Sequence, residues 1–514
     1  MGRKQKVKTN WIDRAINAIA PIHGVARIKA RAFMALADSY IAASRTRRPT
    51  SQWFTQNKSA DSDLLPSINL LRSRSRDLVR NSPLACGAIN TCVTNVVGTG
   101  LTLQSHIDRD VINMTDAQAD AWERNTEREW RLWAESVECD AARTMTFTAY
   151  QDLVFRQVLE NGDVFVLFPR ISRKNIPYSL RLQAVEADRI CNKDFVADTD
   201  ELAGGVRKNE TGAPAEYHIL NCHPGNLYQM KDYEWRIIPA YGKNTGLRNV
   251  LHLFRILRPG QSRGIPYLTP VVEPLKQLTR YSEAEIDAAV ISAMFTVFVK
   301  SDMPEGFSPM EPTSETGGAS DDDDFKLSPG AILNLRPGED IVSANPGRPN
   351  TAFEPFWVAI VRLIAVALEI PFETLIKHFT ASYSASRAAM QEAWKFFISR
   401  RKWLADNFCQ RVYEIWMYEA VATGRIKAPG YFTDPINQKA YLGSEWIGPA
   451  KGMINESVEV KAALERIDGK ISTRQHETAQ LMGQDWEKIM AQAIKEERLL
   501  ASSFPKNNQN GEAI

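Results

Sequence analysis

The apolar positions of the chain follow their most regular pattern between residues 380 and 424, and this pattern predicts one long helix. Apolar residues recur there at the spacing of one helix face, at Met390, Trp394, Phe397, Leu404, Phe408, Val412 and Ile415. No proline or glycine interrupts residues 384–423. Ser382 or Ser384 can serve as the N-cap, and Gly424 stands where a left-handed residue ends a helix. At a rise of ~1.5 Å per residue, this helix would be about 60 Å long.

This predicted helix, called the spine helix below, also carries apolar residues outside that stripe, at Phe396, Ile398, Trp403 and Trp416. A helix with apolar residues on more than one face must contact neighbours on more than one side. We therefore expect it to organise the fold, and its expected packing residues are Trp394, Phe397, Trp403 and Phe408.

The chain before residue 260 alternates helical and strand-like patterns. Helical periodicity predicts helices at 67–80, 84–97, 116–139 and 147–160. Runs of β-branched and aromatic residues bounded by turn residues predict strands at 101–103, 164–168, 179–185, 217–220, 235–239 and 250–254. Trp130 and Trp133 share one helix face and are expected to pack in a core. This part of the chain is therefore predicted to be α+β.

After residue 260 the pattern is helix, insertion, helix and then the spine helix. The two helices are predicted at 275–299 and 355–368, with a break at Ile370-Pro371 because a residue before proline is disfavoured in a helix. The insertion is rich in Gly, Ser, Thr, Pro and Asp, and 331–335 is predicted to be a short strand.

The chain beyond Gly424 begins with an aromatic, loop-like segment at 425–449. Helices are predicted to follow at 456–468, 473–482 and 484–499. The last dozen residues are polar and are expected to be disordered.

Composition is typical of a globular protein of several domains. The chain has 514 residues, of which 44% are apolar and 24% charged, and this length allows two to four domains. Its net charge of +2 argues neither for nor against a nucleic-acid partner. The first 50 residues are basic, and a solvated tail is favoured over a nucleic-acid-binding arm. The sequence has no signal-peptide core, which would predict export. It has no run of ~20 apolar residues, which would predict a membrane span.

The sequence contains no pattern that predicts catalysis, a cofactor or a structural metal. The six cysteines are scattered without CxxC spacing, and they are expected to be reduced thiols. Cys222 precedes His223, but no second Cys or His pair follows at zinc-site spacing. There is no GxxxxGK[ST], GxSxG or HExxH motif. Four aspartates, Asp321 to Asp324, predict an exposed loop more readily than a metal site.

Several longer motifs, in chain order, resemble those of the lambda-type phage portal proteins. They are LRSRSRDLVRNSPLA at 71–85, NVVGTG at 95–100, ENGDVF at 160–165, RPGQSRGIP at 258–266, LEIPFETL at 368–375, YSASRAA at 383–389 and WIGP at 446–449. The resemblance covers about residues 60–490. It implies a portal fold built as wing, stem, clip and crown, and a closed ring, expected to have twelve subunits, around a tunnel for double-stranded DNA.

The resemblance also implies how the chain is divided. The expected regions are a basic N-terminal arm at 1–60, an α+β wing at 61–266, stem helices at 267–299 and 351–372 flanking a clip at 300–350, a tunnel loop at 373–386, the spine helix of the wing at 387–424, and a C-terminal wing or crown region at 425–514.

Site residues and partners follow from the same resemblance. The DNA-facing tunnel loop would comprise Lys377, His378, Phe379, Thr380, Ala381, Ser382 and Tyr383, and the partner-docking residues of the clip would be Asp321, Asp322, Asp323, Asp324 and Lys326. The implied partners are other copies of the chain, double-stranded DNA, the terminase large subunit, the major capsid protein and neck or head-completion proteins. The implied location is the portal vertex of the virion, after assembly in the host cytoplasm, with no enzymatic activity and no cofactor.

Two other classes of function stay open. The same helices would suit a minor capsid or adaptor protein without a DNA channel. A metal-dependent DNA-processing enzyme, using Asp321 to Asp324 as ligands, is a third and weaker hypothesis.

Overall fold

A computed structural model describes residues 48–226, 233–294, 298–301, 339–342, 350–379, 382–453 and 455–503, with isolated positions between 16 and 29. The chain divides into two compact units, Met1–Ser59 and Ala60–Ile514, and every element named below belongs to the second unit. Most of the predicted N-terminal arm and clip, including Asp321 to Asp324 and Lys326, lies outside the described residues. The predicted strand at 331–335 and the predicted disordered tail lie outside them as well.

Helices account for most of the described chain. In chain order they are α1 (Ala60–Leu64), α2 (Ile68–Asn81), α3 (Pro83–Val96), α4 (Asp116–Ala134), α5 (Phe147–Asn161), α6 (Val272–Met294), α7 (Phe353–Ala367), α8 (Phe372–Ile376), α9 (Tyr383–Leu404), α10 (Gln410–Ala422), α11 (Pro435–Tyr441), α12 (Glu456–Asp468), α13 (Arg474–Met482) and α14 (Trp486–Ser503). Among the described residues, no helix combines the length and the apolar character needed to cross a membrane.

The strands form small antiparallel sheets between the helices, so the chain is α+β. They are β1 (Thr102–Ser105), β2 (Asp163–Leu167), β3 (Gln183–Val185), β4 (Leu202–Ala203), β5 (Val206–Lys208), β6 (Pro214–Leu220), β7 (Trp235–Pro239), β8 (Val250–Phe254), β9 (Phe298–Ser301), β10 (Glu339–Val342) and β11 (Ser444–Ile447). The sheet orders are β1-β11, β10-β9, β3-β2-β8 and β4-β5-β6-β7. Strand β2 is central in its sheet and buried along its whole length, whereas β7 is a mostly exposed edge.

The predicted spine helix is confirmed as α9 and α10, joined through a wider π turn at Ala405–Cys409. Its N-cap is Ser382, whose Oγ accepts a hydrogen bond from the Ala385 N–H at 3.4 Å. Gly424 follows its last turn with φ +73°, a conformation that costs glycine little. Residue type and spacing therefore placed both ends of this element.

The spine helix packs against α4 and α5 through an aromatic cluster. The Trp130 ring lies 5.2 Å from the Trp416 ring and 5.6 Å from the Tyr413 ring, both edge to face. Phe147 stacks on Phe408 at 5.5 Å. Such pairs stabilise by about 0.5–1.5 kcal/mol beyond the burial of their area. The core placement predicted for Trp130 is confirmed, and the same holds for Trp133.

Other predictions of local structure misplaced the ends of helices or missed elements inside a predicted loop. The helix predicted at 275–299 ends at Met294, and Val299 lies in β9. The apolar, β-branched residues of that segment suit a strand as well as a helix, so periodicity alone could not place the boundary. The helix predicted at 116–139 ends at Ala134 and is followed by a short 3₁₀ turn at Val137–Cys139. The segment 425–449, predicted as a loop, contains α11 and β11.

Candidate functional site: a buried ion cluster and the stem-to-spine connection

A carboxylate at the start of β2 is completely buried between two arginines. Asp163 Oδ1 accepts a hydrogen bond from Arg72 Nη2 of α2 at 2.7 Å. Its Oδ2 accepts one from Arg263 Nε at 2.6 Å. Asp163, Arg72 and Arg263 are 0%, 1% and 2% exposed, so water cannot screen these charges. The three residues form a buried ion cluster.

Two glycines allow the backbone to close around this cluster. Gly162 has φ +89°, and it precedes Asp163 at the turn from α5 into β2. A Cβ on Gly264 would lie 1.9 Å from the Gly162 carbonyl oxygen. The two backbone segments can therefore approach this closely only because residue 264 has no side chain. The approach lets the Gly264 N–H donate to Asp163 Oδ2 at 3.2 Å.

Both arginines also donate hydrogen bonds to backbone carbonyls. Arg263 donates to the carbonyl oxygens of Ile190, Gly204 and Ala187 at 2.7–2.8 Å. Arg72 Nε donates to the Asn161 carbonyl at 3.0 Å. The cluster therefore ties α2, the α5–β2 turn and the segment before α6 to the backbone around Ala187, Ile190 and Gly204.

His252 on β8 completes the cluster as a neutral group. Its Nε2 lies 3.2 Å from Asp163 Oδ2. Burial lowers the pKa of His252 to about 4, so the ring is neutral at pH 7. Burial alone would raise the pKa of Asp163, but the charges of Arg263 and Arg72 hold it well below its usual range. Burial lowers the pKa of Arg72 to about 10, which leaves it protonated.

The cluster joins three of the motifs that carry the family resemblance, at 71–85, 160–165 and 258–266. The sequence analysis used these motifs only for recognition and did not predict that their charges meet. Periodicity reports which positions are buried, and it does not pair an acid with a base about 90 residues away. An acid beside a glycine at a helix-to-strand turn was the one available signal.

The connection from α7 to the spine helix is the second candidate site. It begins at Leu368, whose carbonyl accepts a hydrogen bond from the Tyr267 hydroxyl, and continues through the short helix α8. Lys377 ends α8 with φ +55°, a left-handed conformation, and this turns the chain toward Ser382. Except for its first residue, Phe372, the helix α8 lies inside the stretch 373–386 that the sequence analysis had treated as a loop.

The predicted tunnel-loop residues are exposed wherever the structure describes them. Phe379 and Tyr383 are 57% and 54% exposed, and Lys377, His378 and Ser382 are exposed as well. Thr380 and Ala381 lie outside the described residues. These two aromatic side chains therefore form an exposed apolar surface on one short connection of the described chain.

The predicted packing residues of the spine helix are buried to different extents. Phe397 and Phe408 are 2% and 0% exposed and belong to the main core. Trp394 and Trp403 are only half-buried, and they pack at the edge of the same core. The Arg401 guanidinium lies 5.0 Å above the Trp394 ring.

One group in the described part of the chain has ligand atoms close enough for a metal ion, formed by Glu186, Asp188 and His223. Arg76 pairs with Asp188 and lies 3.4 Å from Glu186. A guanidinium therefore already supplies positive charge to these carboxylates. This geometry is that of a surface ion-pair network.

An α+β chain whose helix pair flanks an insertion, and whose connecting turn leads into a long spine helix, has the organisation expected of a phage portal protein. A model of the family described as phage portal protein, lambda family, matches residues 46–401, which are 356 of the 514 residues. The portal protein of Escherichia phage N15 is 26% identical over 465 residues, covering 86% of this chain and 87% of that protein. Portal protein B of Escherichia phage lambda is 25% identical over 465 residues, covering 86% of each.

Among solved structures, a chain of the virion of a native gene transfer agent particle matches with a TM-score of 0.42 and 13% identity, covering 80% of this chain and 92% of that chain. The family match extends over most of the sequence and includes the motifs that build the ion cluster. The chain belongs to the lambda family of phage portal proteins.

Proposed function

We propose that this portal protein assembles into a closed ring of twelve copies at one vertex of the capsid, and that double-stranded DNA passes through the ring during packaging and ejection. The observation that carries the proposal is the family match over residues 46–401. The ring makes the protein a structural component of the virion, assembled in the host cytoplasm, with no reaction of its own.

Exposed apolar side chains on α7 support the ring. Leu363 and Val366 are 71% and 78% exposed on a helix that is otherwise strongly apolar. Exposing such residues to water is unfavourable, at roughly 25 cal/mol per Å² of apolar surface. A neighbouring copy would cover them, so α6 and α7 are the stem helices of the proposed ring.

The connection from residue 377 to residue 383 is proposed as the tunnel loop. It presents Phe379, Tyr383 and the positive charge of Lys377 at the surface, and every copy would present the same segment to the axis. The net charge of +2 per chain suits a conduit, because strong neutralisation of phosphates would hold DNA in place rather than let it slide.

The insertion between α6 and α7 is proposed as the clip. Its aspartates 321–324 and Lys326 would dock the terminase large subunit and later the neck proteins, while the outer surface of the ring meets the major capsid protein. Charged residues at a docking surface set the specificity and rate of docking more than its strength.

The test uses phage particles in which residues 379–382 of the portal protein are replaced with four glycines and the rest of its sequence is native. Rings and empty capsids are expected to form, since exposed connections tolerate such change, while DNA packaged per capsid falls or leaks out. The matched control makes the exposed turn at 243–246 four consecutive glycines, which changes three residues because Gly246 is already present, and it is expected to package normally. A full genome in every capsid of the loop variant would contradict the tunnel assignment.

A further inference from the structure

Helix α7 carries an apolar stripe that no described part of the chain covers. Phe356, Leu363 and Val366 are 51%, 71% and 78% exposed, and Ala359 is exposed between them. Their spacing of three, four and seven residues puts them on one side of the helix. The buried residues Val361, Ile364 and Ala365 lie on the opposite side and face the core.

Helix α6 offers a second stripe with the seven-residue repeat of packed helices. Val272 and Thr279 are half-buried, and Ile286 is 63% exposed. They lie to one side of Leu275 and Leu278, which α6 buries in the core, and the covered part of Val272 packs against the same core.

Two contacts fix how α6 and α7 are aligned within one chain. The Tyr267 hydroxyl donates to the Leu368 carbonyl. Tyr267 comes just before α6, and within α6 the Tyr281 ring lies 5.5 Å from that of Phe353 and 5.2 Å from that of Phe356. The helices therefore run antiparallel.

This alignment sets which residues share a level. Glu273 comes six residues after Tyr267, and Arg362 comes six residues before Leu368, so these two charged residues lie level with one another. By the same alignment, Val272 lies level with Leu363, and Thr279 lies level with Phe356.

The charges beside the two stripes are opposite and lack charged partners. Arg362 makes no ion pair with any described residue, and its guanidinium lies 5.3 Å from the Phe372 ring. In the described chain Glu273 pairs with no cation either, and it accepts one hydrogen bond, from Gln277 at 3.1 Å. The positive charge of Arg362 beside the α7 stripe and the negative charge of Glu273 beside the α6 stripe are therefore complementary.

We propose that α7 of one copy packs against α6 of the next, with Leu363 and Phe356 opposite Val272 and Thr279, and with Arg362 paired to Glu273 of the next copy. The inference rests on the proposed ring and adds which surfaces form it. Rotation about a ring axis keeps each residue at its height, so residues level within one chain meet between neighbours when the helix pair runs along the axis. The contact joins two different surfaces, and repeated contacts of this kind form a ring when the rotation between neighbouring copies closes.

Charge reversal tests this pairing. The variants are Arg362→Glu, Glu273→Arg and the two combined, and the readout is the protein concentration at which half of the chains are in rings, measured by mass photometry. Each single variant is expected to raise that concentration about tenfold or more, because like charges would then face each other. The combined variant is expected to return to within about threefold of the native value. Lys395→Glu is the matched control, since Lys395 is 74% exposed on α9 and pairs only with Glu392 in the described chain.

A second measurement does not depend on charge. Combining Val272→Cys with Leu363→Cys should allow oxidation to link each copy to the next, giving a ladder of covalent oligomers on a non-reducing gel. Either cysteine alone should give no ladder. An absent ladder, or single charge variants that assemble like the native chain, would overturn the pairing while rings persist, leaving the proposed function intact. A native chain that forms no ring would contradict the proposed function itself.

Discussion

Asp163 is the residue on which the connection between the helical and sheet parts of the molecule depends. Its carboxylate forms hydrogen bonds with two arginines, a histidine and a backbone N–H in a site that excludes water. A buried charge without its partner is much more costly than a buried pair, so the cluster is sensitive to the loss of any one member.

Replacing Asp163 with Asn should lower the free energy of unfolding by roughly 3–5 kcal/mol, because two buried guanidinium groups would lose their counter-charge. Urea unfolding followed by tryptophan fluorescence measures this loss. Asp77→Asn is the control, since in the described chain the half-buried Asp77 carboxylate accepts a hydrogen bond from the nearby Asn81 amide and forms no ion pair, and its loss should stay within about 0.5 kcal/mol. Equal losses in the two variants would contradict the importance of the cluster.

The same cluster predicts acid sensitivity through His252. Its pKa is about 4 in the folded chain, against about 6.5 when unfolded, so between those values the unfolded chain binds more protons. Stability should therefore fall as the pH drops from about 6.5 toward 4. Asp163, whose pKa is depressed, adds a loss below about pH 4.

His252→Gln keeps a hydrogen-bond donor but cannot take up a proton. Its unfolding free energy should depend less on pH than that of the native chain. Between pH 6.5 and 4, the two slopes of free energy against pH should differ by at most the slope that corresponds to one bound proton. Chemical unfolding at several pH values gives both slopes. Parallel pH profiles would mean that His252 does not remain neutral in the fold.

At the scale of elements, sequence pattern was sufficient where one physical signal dominated. The spine helix had uninterrupted periodicity and two capping residues, and β7 and β8 had short β-branched runs, so all three matched. The end of α6 was misplaced because its apolar residues suit helix and strand alike. Helix α8 was missed because five residues after a proline are too short for periodicity.

The two candidate sites also differ in how much of each could be predicted from the sequence. The connection around Lys377 could be located from the break at Pro371 and the cap at Ser382. The pairing of Asp163 with Arg72 and Arg263 could not be predicted, because these residues are distant in sequence and meet only through the folded backbone.

Substitutions in the spine helix should lower the free energy of unfolding more where the replaced side chain is more deeply buried. Phe408→Ala removes a fully buried ring stacked on Phe147 and should cost about 3–5 kcal/mol of unfolding free energy. Trp403→Ala should cost clearly less, because the Trp403 side chain is only half-buried. Thermal or urea unfolding of both variants checks the order. A larger loss for Trp403 would mean that the spine packs through the other face.

At the scale of the whole molecule, apolar side chains are exposed at several separate places on the described chain. The exposed stripe of α7, the aromatic residues of the stem-to-spine connection, and apolar residues of α12 and α14 such as Leu464 and Leu500 all face outward. Repeated copies of one chain can cover such surfaces by joining different faces in a closed ring.

The mass of the assembled protein tests the central claim most directly. The chain has a mass of 57.8 kDa, so a ring of twelve should have about twelve times that mass, about 690 kDa, in native mass spectrometry. Electron micrographs of the same sample should show closed rings with a central opening. A species of 57.8 kDa at every concentration tested, with no rings in the images, would contradict the account.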